Sequence, residues 1–512
     1  MNNKSIYLIG ATLLLITALF SSGYHQFDEH FQILEFAGLK LGLTEADNLA
    51  WEYHYKTRAA IQPAIVVFVY SLLGWVKITD PFIIATFLRI LSGLLSFLSI
   101  HLFYEAYRRK IENTLLQKWF LLLSFLLWFA VYNNVRFSSE NWSGSIFLIA
   151  YSLFLLRDSE SRSHYLLIGF LLGLAFLFRY QVGLLVAGFM LWLFCIKRQN
   201  IFHLILLNLG ILLSITLGLL IDRSYYGEWT LTAWNYFEQG IILDKLSEFG
   251  VEPWWHYFES VFIKAIPPIS IVCILSLLIV SIYKRKDVLI WTIIPFIIVQ
   301  SIIGHKETRY LFPIIGFVPI LIIKSIEIVQ NRWCSDLLKT PLSGKAINVF
   351  WVVNIFILGI IAFRPADSNI SLYKKIFDSY KGPATLYYMG SSPYQRVQLD
   401  ILFYRRRNLE MREIRSIDEI DLNSDQVCLF VTRKPDSIRM ARHKYRLIYS
   451  TLPEWVKALN FNNWVERSKL WYVYEMNAAE PSSHSDAGGS SLRLNLPSPA
   501  FHPAFEEAKP PL

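Results

Sequence analysis

Apolar stretches about as long as a bilayer is thick recur along most of this chain, and few folds can house them. They lie near 5–20, 59–79, 82–107, 116–132, 143–156, 164–178, 181–196, 200–222, 260–283, 287–303, 310–329 and 346–363. A helix needs about 20 apolar residues to cross the hydrocarbon core. In lipid every backbone polar group must be satisfied internally, so a helix bundle is the architecture open to such a chain. Composition agrees: 54% of the 512 residues are hydrophobic and 17% charged, against about 25% charged in soluble domains. The expected fold is mostly α, a polytopic membrane bundle of about 11–13 transmembrane helices. A small α/β domain is expected to follow it.

The loops fix an expected sidedness. Lys4, Arg108-Arg109-Lys110, Arg157 to Arg162, Lys197-Arg198, Lys284-Arg285-Lys286 and Lys324 to Lys345 form the basic clusters. Such clusters favour the cytoplasm, which leaves 21–58, 133–142, 179–181, 223–259, 304–309 and everything after Arg364 on the other side. Two apolar runs then lie between a far-side and a cytoplasmic loop. One of them, 59–79, is expected to pack at the interface without crossing, with the N-terminus inside and the C-terminus outside. The first segment is read as an uncleaved helix rather than a leader, because so many further crossings follow it.

The net charge of +9 comes without a basic stripe interleaved with aromatics, so it reads as topological and no nucleic-acid partner is expected. Cys195, Cys273, Cys334 and Cys428 lie far apart, with no spacing that suggests zinc or a disulfide framework. After the 1–363 membrane part, "ATLYYMG", "QVCLFVT" and "YRLIYST" are short β-prone runs within 364–476. The Ser-, Pro- and Ala-rich tail 477–512 is expected to be disordered and reads as an appended segment.

Polar residues of chemical interest crowd into the far-side loops. Asp28 and Glu29, flanked by His25 and His30, follow the first helix, and Trp51, Glu52, His54, Arg58 and Pro63 share that loop. Arg136, Glu140 and Asn141 open a later helix, and Arg179 and Gln181 sit in a break between two apolar runs. Trp254, Trp255 and His256 precede another helix, and His305, Lys306, Glu307 and Arg309 are wedged between two more. Taken singly, an Asp-Glu pair is usually a solvated turn, Trp and Tyr are interfacial anchors, and Arg179 could snorkel. The 305–309 group demands more, since cations cost about 2.5–3.5 kcal/mol at a helix centre and need compensation. Either Glu307 pairs with Lys306 or Arg309 in a structural network, or the cations clamp an anion at a helix N-terminus. Carboxylates and cations on one membrane face suit transfer of a group off a lipid phosphate, with cations on the phosphate and a carboxylate taking the proton of an incoming hydroxyl.

In order along the chain, "HQFDEHFQ" (25–32), "AWEYHYKTRAAIQP" (50–63), "FGVEPWWHYF" (249–258) and "HKETRYLFPIIGFVP" (305–319) resemble motifs of glycosyltransferase family 22. These are the GT-C mannosyltransferases of GPI-anchor and N-glycan-precursor assembly, with bacterial relatives. "FRYQ" (178–181) is similar to the family's arginine-bearing segment, whereas Phe27 stands where members carry Pro before the acidic pair. The resemblance implies an inverting mannosyltransferase facing the lumen, periplasm or exterior. It would use a polyprenyl-phosphate mannose donor and a glycolipid or lipid-linked glycan acceptor, with no cofactor and no metal. It implies Asp28 as catalytic base, with Glu29 as the alternative. His305, Lys306, Arg309 and Arg179 would hold the donor phosphate, and Glu52, Arg58, Trp51, His25, His256 and Gln181 would shape the acceptor and sugar side. Two alternatives stand: transfer of glucose, arabinose or an aminosugar, or a transporter or flippase for a lipid-linked sugar. The wording of the chain points to a bacterial plasma (inner) membrane; a eukaryotic member would sit in the endoplasmic reticulum.

Overall fold

The computed structural model describes residues 2–156, 161–422, 426–433, 444–468 and 470–477. The chain divides into two compact units, Met1–Ser379 with Pro393–Arg407, and Tyr380–Ser392 with the described residues from Asn408 onward. This differs from the boundary expected at 364: the helix Ile370–Ser379 and the segment Pro393–Arg407 group with the membrane helices. The expected tail lies outside the described residues apart from Asn477, as do Arg157 and the three residues after it.

Every expected apolar run is helical, and the polar residues ahead of the runs fix where helices begin. Asn2, Asp80, Asn113, Asn200, Asp287 and Thr340 each accept a backbone N–H of the first turn that would otherwise be orphaned. Asn3–Phe20, Pro81–Arg108, Ile201–Tyr226, Thr308–Arg332 and Pro341–Phe363 are long and apolar enough to cross a membrane. Ile61–Trp75, Arg162–Phe178, Tyr180–Cys195, Ile269–Tyr283 and Val288–Ile302 are shorter apolar helices. Against the expected 11–13 crossings, the described residues hold five helices of full spanning length, or six with one bent pair, and five shorter apolar helices. At about 1.5 Å per residue, Ile61–Trp75 falls short of a ~30 Å hydrocarbon core.

Two expected runs are interrupted. The run at 116–132 breaks at Leu127, whose extended backbone separates Thr114–Leu126 from Trp128–Asn134 with a 53° bend. The fully buried Asn354 spans the break. Its Oδ1 accepts Trp128 N at 3.1 Å and its Nδ2 donates to Leu126 O at 2.6 Å. The run at 260–283 breaks after His256–Lys264, where Ile266 (φ +60°) and Pro267-Pro268 precede Ile269–Tyr283.

Small residues allow the closest helix contact. A Cβ on Gly169 would lie 2.0 Å from Leu207 O, and one on Gly210 would lie 2.3 Å from Leu166 O. The helices Arg162–Phe178 and Ile201–Tyr226 thus meet backbone to backbone, as small residues permit in membranes.

In the second unit the β-prone runs form a five-stranded sheet in the order Leu409–Glu413, Ala384–Tyr388, Val427–Thr432, Tyr472–Asn477, Lys444–Ser450. The first three strands are parallel and the last two are antiparallel. Val427–Thr432 is buried along nearly its whole length, which suits a central strand.

Candidate active site

The first loop supplies one wall of the site and is locked by a buried carboxylate. From Phe27 the chain runs helically through a π-turn, His30–Leu34, into Glu35–Lys40, placing Asp28 and Glu29 in the opening turn. The fully buried Glu35 lies 2.7 Å from His30 Nε2 and accepts Leu402 N at 2.8 Å and Phe403 N at 2.9 Å. It also accepts the Thr44 hydroxyl. A buried charge with four donors is compensated, and it fixes the loop against Pro393–Arg407.

Around Asp28 arginines and carboxylates alternate. Asp28 Oδ2 accepts from Arg309 Nη1 and lies 3.4 Å from Arg58 Nη2. Arg309 also binds Glu307 bidentately, Nε to Oε2 at 2.6 Å and Nη2 to Oε1 at 2.8 Å. Glu140 Oε1 lies 3.4 Å from Arg179 and 3.6 Å from Arg309. Arg179 stacks 5.2 Å from the Tyr310 ring, and Tyr310 donates to Glu307 at 3.1 Å. His305 lies between Glu307 (3.3 Å) and Gly250 O (3.1 Å). Three guanidiniums thus face three carboxylates. Asp28 Oδ1 makes no hydrogen bond among the described residues, and the side chain keeps 22% exposure, so one oxygen can receive a proton from outside.

The carboxyls are tuned in opposite directions. Burial would raise Asp28, but Arg309 and Arg58 outweigh it and hold the group below its ordinary value. Glu307 behaves likewise: bonds from His305 and Arg309 overcome burial and hold it well below. Glu52, which accepts Gln32 Nε2 at 2.6 Å, is pushed up to about 7 by burial and by Asp28's charge. Glu29 is pushed up to about 7 by burial, which Arg136 only partly offsets. His25 is lowered to about 4 by burial and Arg136, and the Glu307 contact raises His305.

An apolar cavity of about 330 Å³ adjoins this cluster. His25, Gln26, Tyr132, Tyr257, Lys264, Thr308 and Arg309 carry its polar groups, and the rest of its wall includes Trp128, Phe129, Ile274, Leu277, Ile297 and Phe312. His25 stacks on Phe312 at 5.9 Å and meets Tyr132 at 3.1 Å.

Of the sequence-derived candidates, Asp28, Arg58, Arg179, His305 and Arg309 share one network, and Glu52 joins through its charge coupling to Asp28. Gln181 binds Tyr236 at 2.6 Å, the ring over which Arg58 lies. Glu29 instead lines a separate small cavity with Arg89 and Arg136. Trp51 stacks on Phe249 at 6.2 Å, and His256 faces Glu252 at 3.4 Å. Lys306 requires a correction. Its ammonium donates to Glu252 O (2.8 Å), Ile303 O (2.6 Å) and Gly304 O (3.2 Å). All three N–H bonds are spent on carbonyls, so it braces the loop instead of offering a donor to phosphate. The site choice from sequence passed over Glu140 and Glu307, although both stand in the singled-out clusters, and Lys264, which carries no motif signal.

Several known proteins are similar to this chain in sequence or in fold. The human GPI alpha-1,2-mannosyltransferase 3 is 25% identical over 296 residues, covering 57% of this chain and 51% of that protein. The chain thus spans about half the length of that relative. Mannosyltransferase APTG1 of Arabidopsis thaliana is 23% identical over 418 residues, covering 78% and 73%. Among solved structures, ArnT from Cupriavidus metallidurans bound to undecaprenyl phosphate superposes with a TM-score of 0.54 at 13% identity, covering 92% of this chain and 97% of that one. That likeness is one of fold, a GT-C membrane bundle. The model of the Alg9-like mannosyltransferase family matches residues 5–380, and this multi-pass membrane chain belongs to that family.

Proposed function

We propose that the protein is an inverting mannosyltransferase that moves mannose from a polyprenyl-phosphate donor to a glycolipid or lipid-linked glycan. The observation that carries this reading is Arg309, which lines the apolar cavity and also holds Asp28. A lipid tail in the cavity would bring its phosphate, and the sugar on it, to the edge of the carboxylate cluster. Asp28, ionised at neutral pH and with one oxygen free, takes the proton of the acceptor hydroxyl as that oxygen attacks the anomeric carbon. The bond to phosphate breaks on the opposite face, and the guanidinium cluster stabilises the charge that develops there. Arg58 holds Asp28, and Glu52 and Arg58 shape the acceptor side. Asp28, Glu140 and Glu307 are neutralised by arginines, which supports a reaction that needs no metal.

The site is assigned to the non-cytosolic face. Helices that reach it at one end carry Lys4, Arg108 to Lys110 or Lys284 to Lys286 at the other, which supports that sidedness. The membrane is the bacterial plasma membrane, or the endoplasmic reticulum for a eukaryotic source. The test is incubation of the purified chain with radiolabelled polyprenyl-phosphate mannose and extracted lipids, followed by linkage analysis. Transfer of label with release of free polyprenyl phosphate is expected. Binding without release would instead indicate a carrier of lipid-linked sugars, and transfer from a different sugar donor would reassign the substrate.

A further inference from the structure

The cations closest to Asp28 are all engaged. Arg309 serves Asp28, Glu307 and Glu140; Arg179 faces Glu140; Arg58 faces Asp28; and Lys306 is held by three carbonyls. A phosphate gripped by these groups alone would compete with the partners they already hold, although their charge can still act on one bound alongside. Lys264 differs. It ends the helix His256–Lys264, is exposed, lines the cavity, and forms no ion pair among the described residues. Its Nζ donates to the Thr308 hydroxyl at 2.7 Å, and that hydroxyl also lies 2.5 Å from Ser260 Oγ. Thr308 is the chain neighbour of Arg309 and also lines the cavity.

We infer that Lys264, positioned by Thr308, is the cation that grips the phosphate of the lipid donor at the mouth of the apolar cavity. The assignment rests on the donor reading above and moves the grip from the expected set of His305, Lys306, Arg309 and Arg179 to a residue outside the motifs. An ammonium with two unspent N–H donors beside an apolar wall matches a lipid phosphate, which joins an anionic head to a hydrocarbon tail. A phosphate held there lies beside Arg309 without dismantling the pair that Arg309 makes with Asp28. The sugar on that phosphate then meets an intact base.

The test compares undecaprenyl phosphate with undecaprenol, using the purified full chain and native mass spectrometry. The wild-type chain is expected to prefer the phosphate. Lys264→Gln should lower affinity for the phosphate by about 10-fold or more while leaving the alcohol unchanged, and Lys264→Arg should restore most of the preference. The side chain is exposed, so neither variant threatens the fold. If Lys264→Gln keeps the full preference for the phosphate, this assignment falls and the donor reading stands. If the wild-type chain binds neither lipid, the donor reading falls and takes the assignment with it.

Discussion

Arg309 donates to Asp28 across 281 positions of sequence, joining the turn after the first helix to the entrance of a late one. The pairing offsets the cost of burying both charges, adding to the bonds Arg309 makes with Glu307 and to the approach of Arg58 to Asp28.

The first prediction concerns the proposed base. Asp28→Asn keeps the shape of the side chain and removes its ability to take a proton. Turnover should fall by about 10²–10⁴-fold while affinity for the lipid donor is retained. Near wild-type turnover in the variant would move the base elsewhere, and Glu29→Gln tests the alternative directly.

A second prediction follows from Glu52. It titrates at about 7 in the folded chain, against ~4.3 for an unperturbed glutamate. Between those values the folded chain holds a proton that the unfolded chain has released. The stabilisation is therefore full below the lower value and is lost as pH rises through the upper one. Asp28 and Glu307, both lowered, carry the opposite sign, and their contribution is lost as pH falls through their folded values. Melting temperatures of wild type and Glu52→Gln, measured from about pH 5 to 8, should diverge as pH rises, with the wild type losing more. Parallel curves would contradict the burial of this carboxyl.

A third concerns the lock on the first loop. Glu35→Ala strands four donors, two of them backbone N–H groups, and should destabilise the protein by about 3–5 kcal/mol. Thermal unfolding in detergent measures it, with Glu45→Ala, at an exposed position, as the unaffected reference.

A fourth addresses the broken helix. Asn354→Leu leaves Trp128 N–H and Leu126 C=O without partners in an apolar interior, at about 1–3 kcal/mol for each group left unmade. A melting temperature equal to wild type would show that the bend persists without this side chain.

What could be read from the sequence depended on whether a residue acts locally. Hydropathy depends on the segment alone, so the apolar runs were found close to where the helices lie. The first-loop acids and the 305–309 cations were placed together on chemical grounds, and Asp28 and Arg309 do meet. Lys306 and Arg309 look equivalent three residues apart, yet one faces carbonyls and the other carboxylates. That difference is set by how Glu252 and Gly304 approach, which spacing does not encode. Asp28 and Glu29 are neighbours in sequence but face different surroundings, Asp28 meeting Arg309 and Glu29 lining the small cavity with Arg136, as successive positions on a helical turn diverge. The break at Leu127 could not be foreseen either, because the amide that completes it comes from 226 residues away.

That amide reaches further than the bend itself. Trp128 and Phe129, immediately past the break, line the apolar cavity, whereas no residue of Pro341–Phe363 does. The tilt of one wall thus depends on a helix that lines none of the cavity, and under the proposed lipid-donor reading lineages that exchange Asn354 would be expected to differ in the hydrocarbon chains they accept.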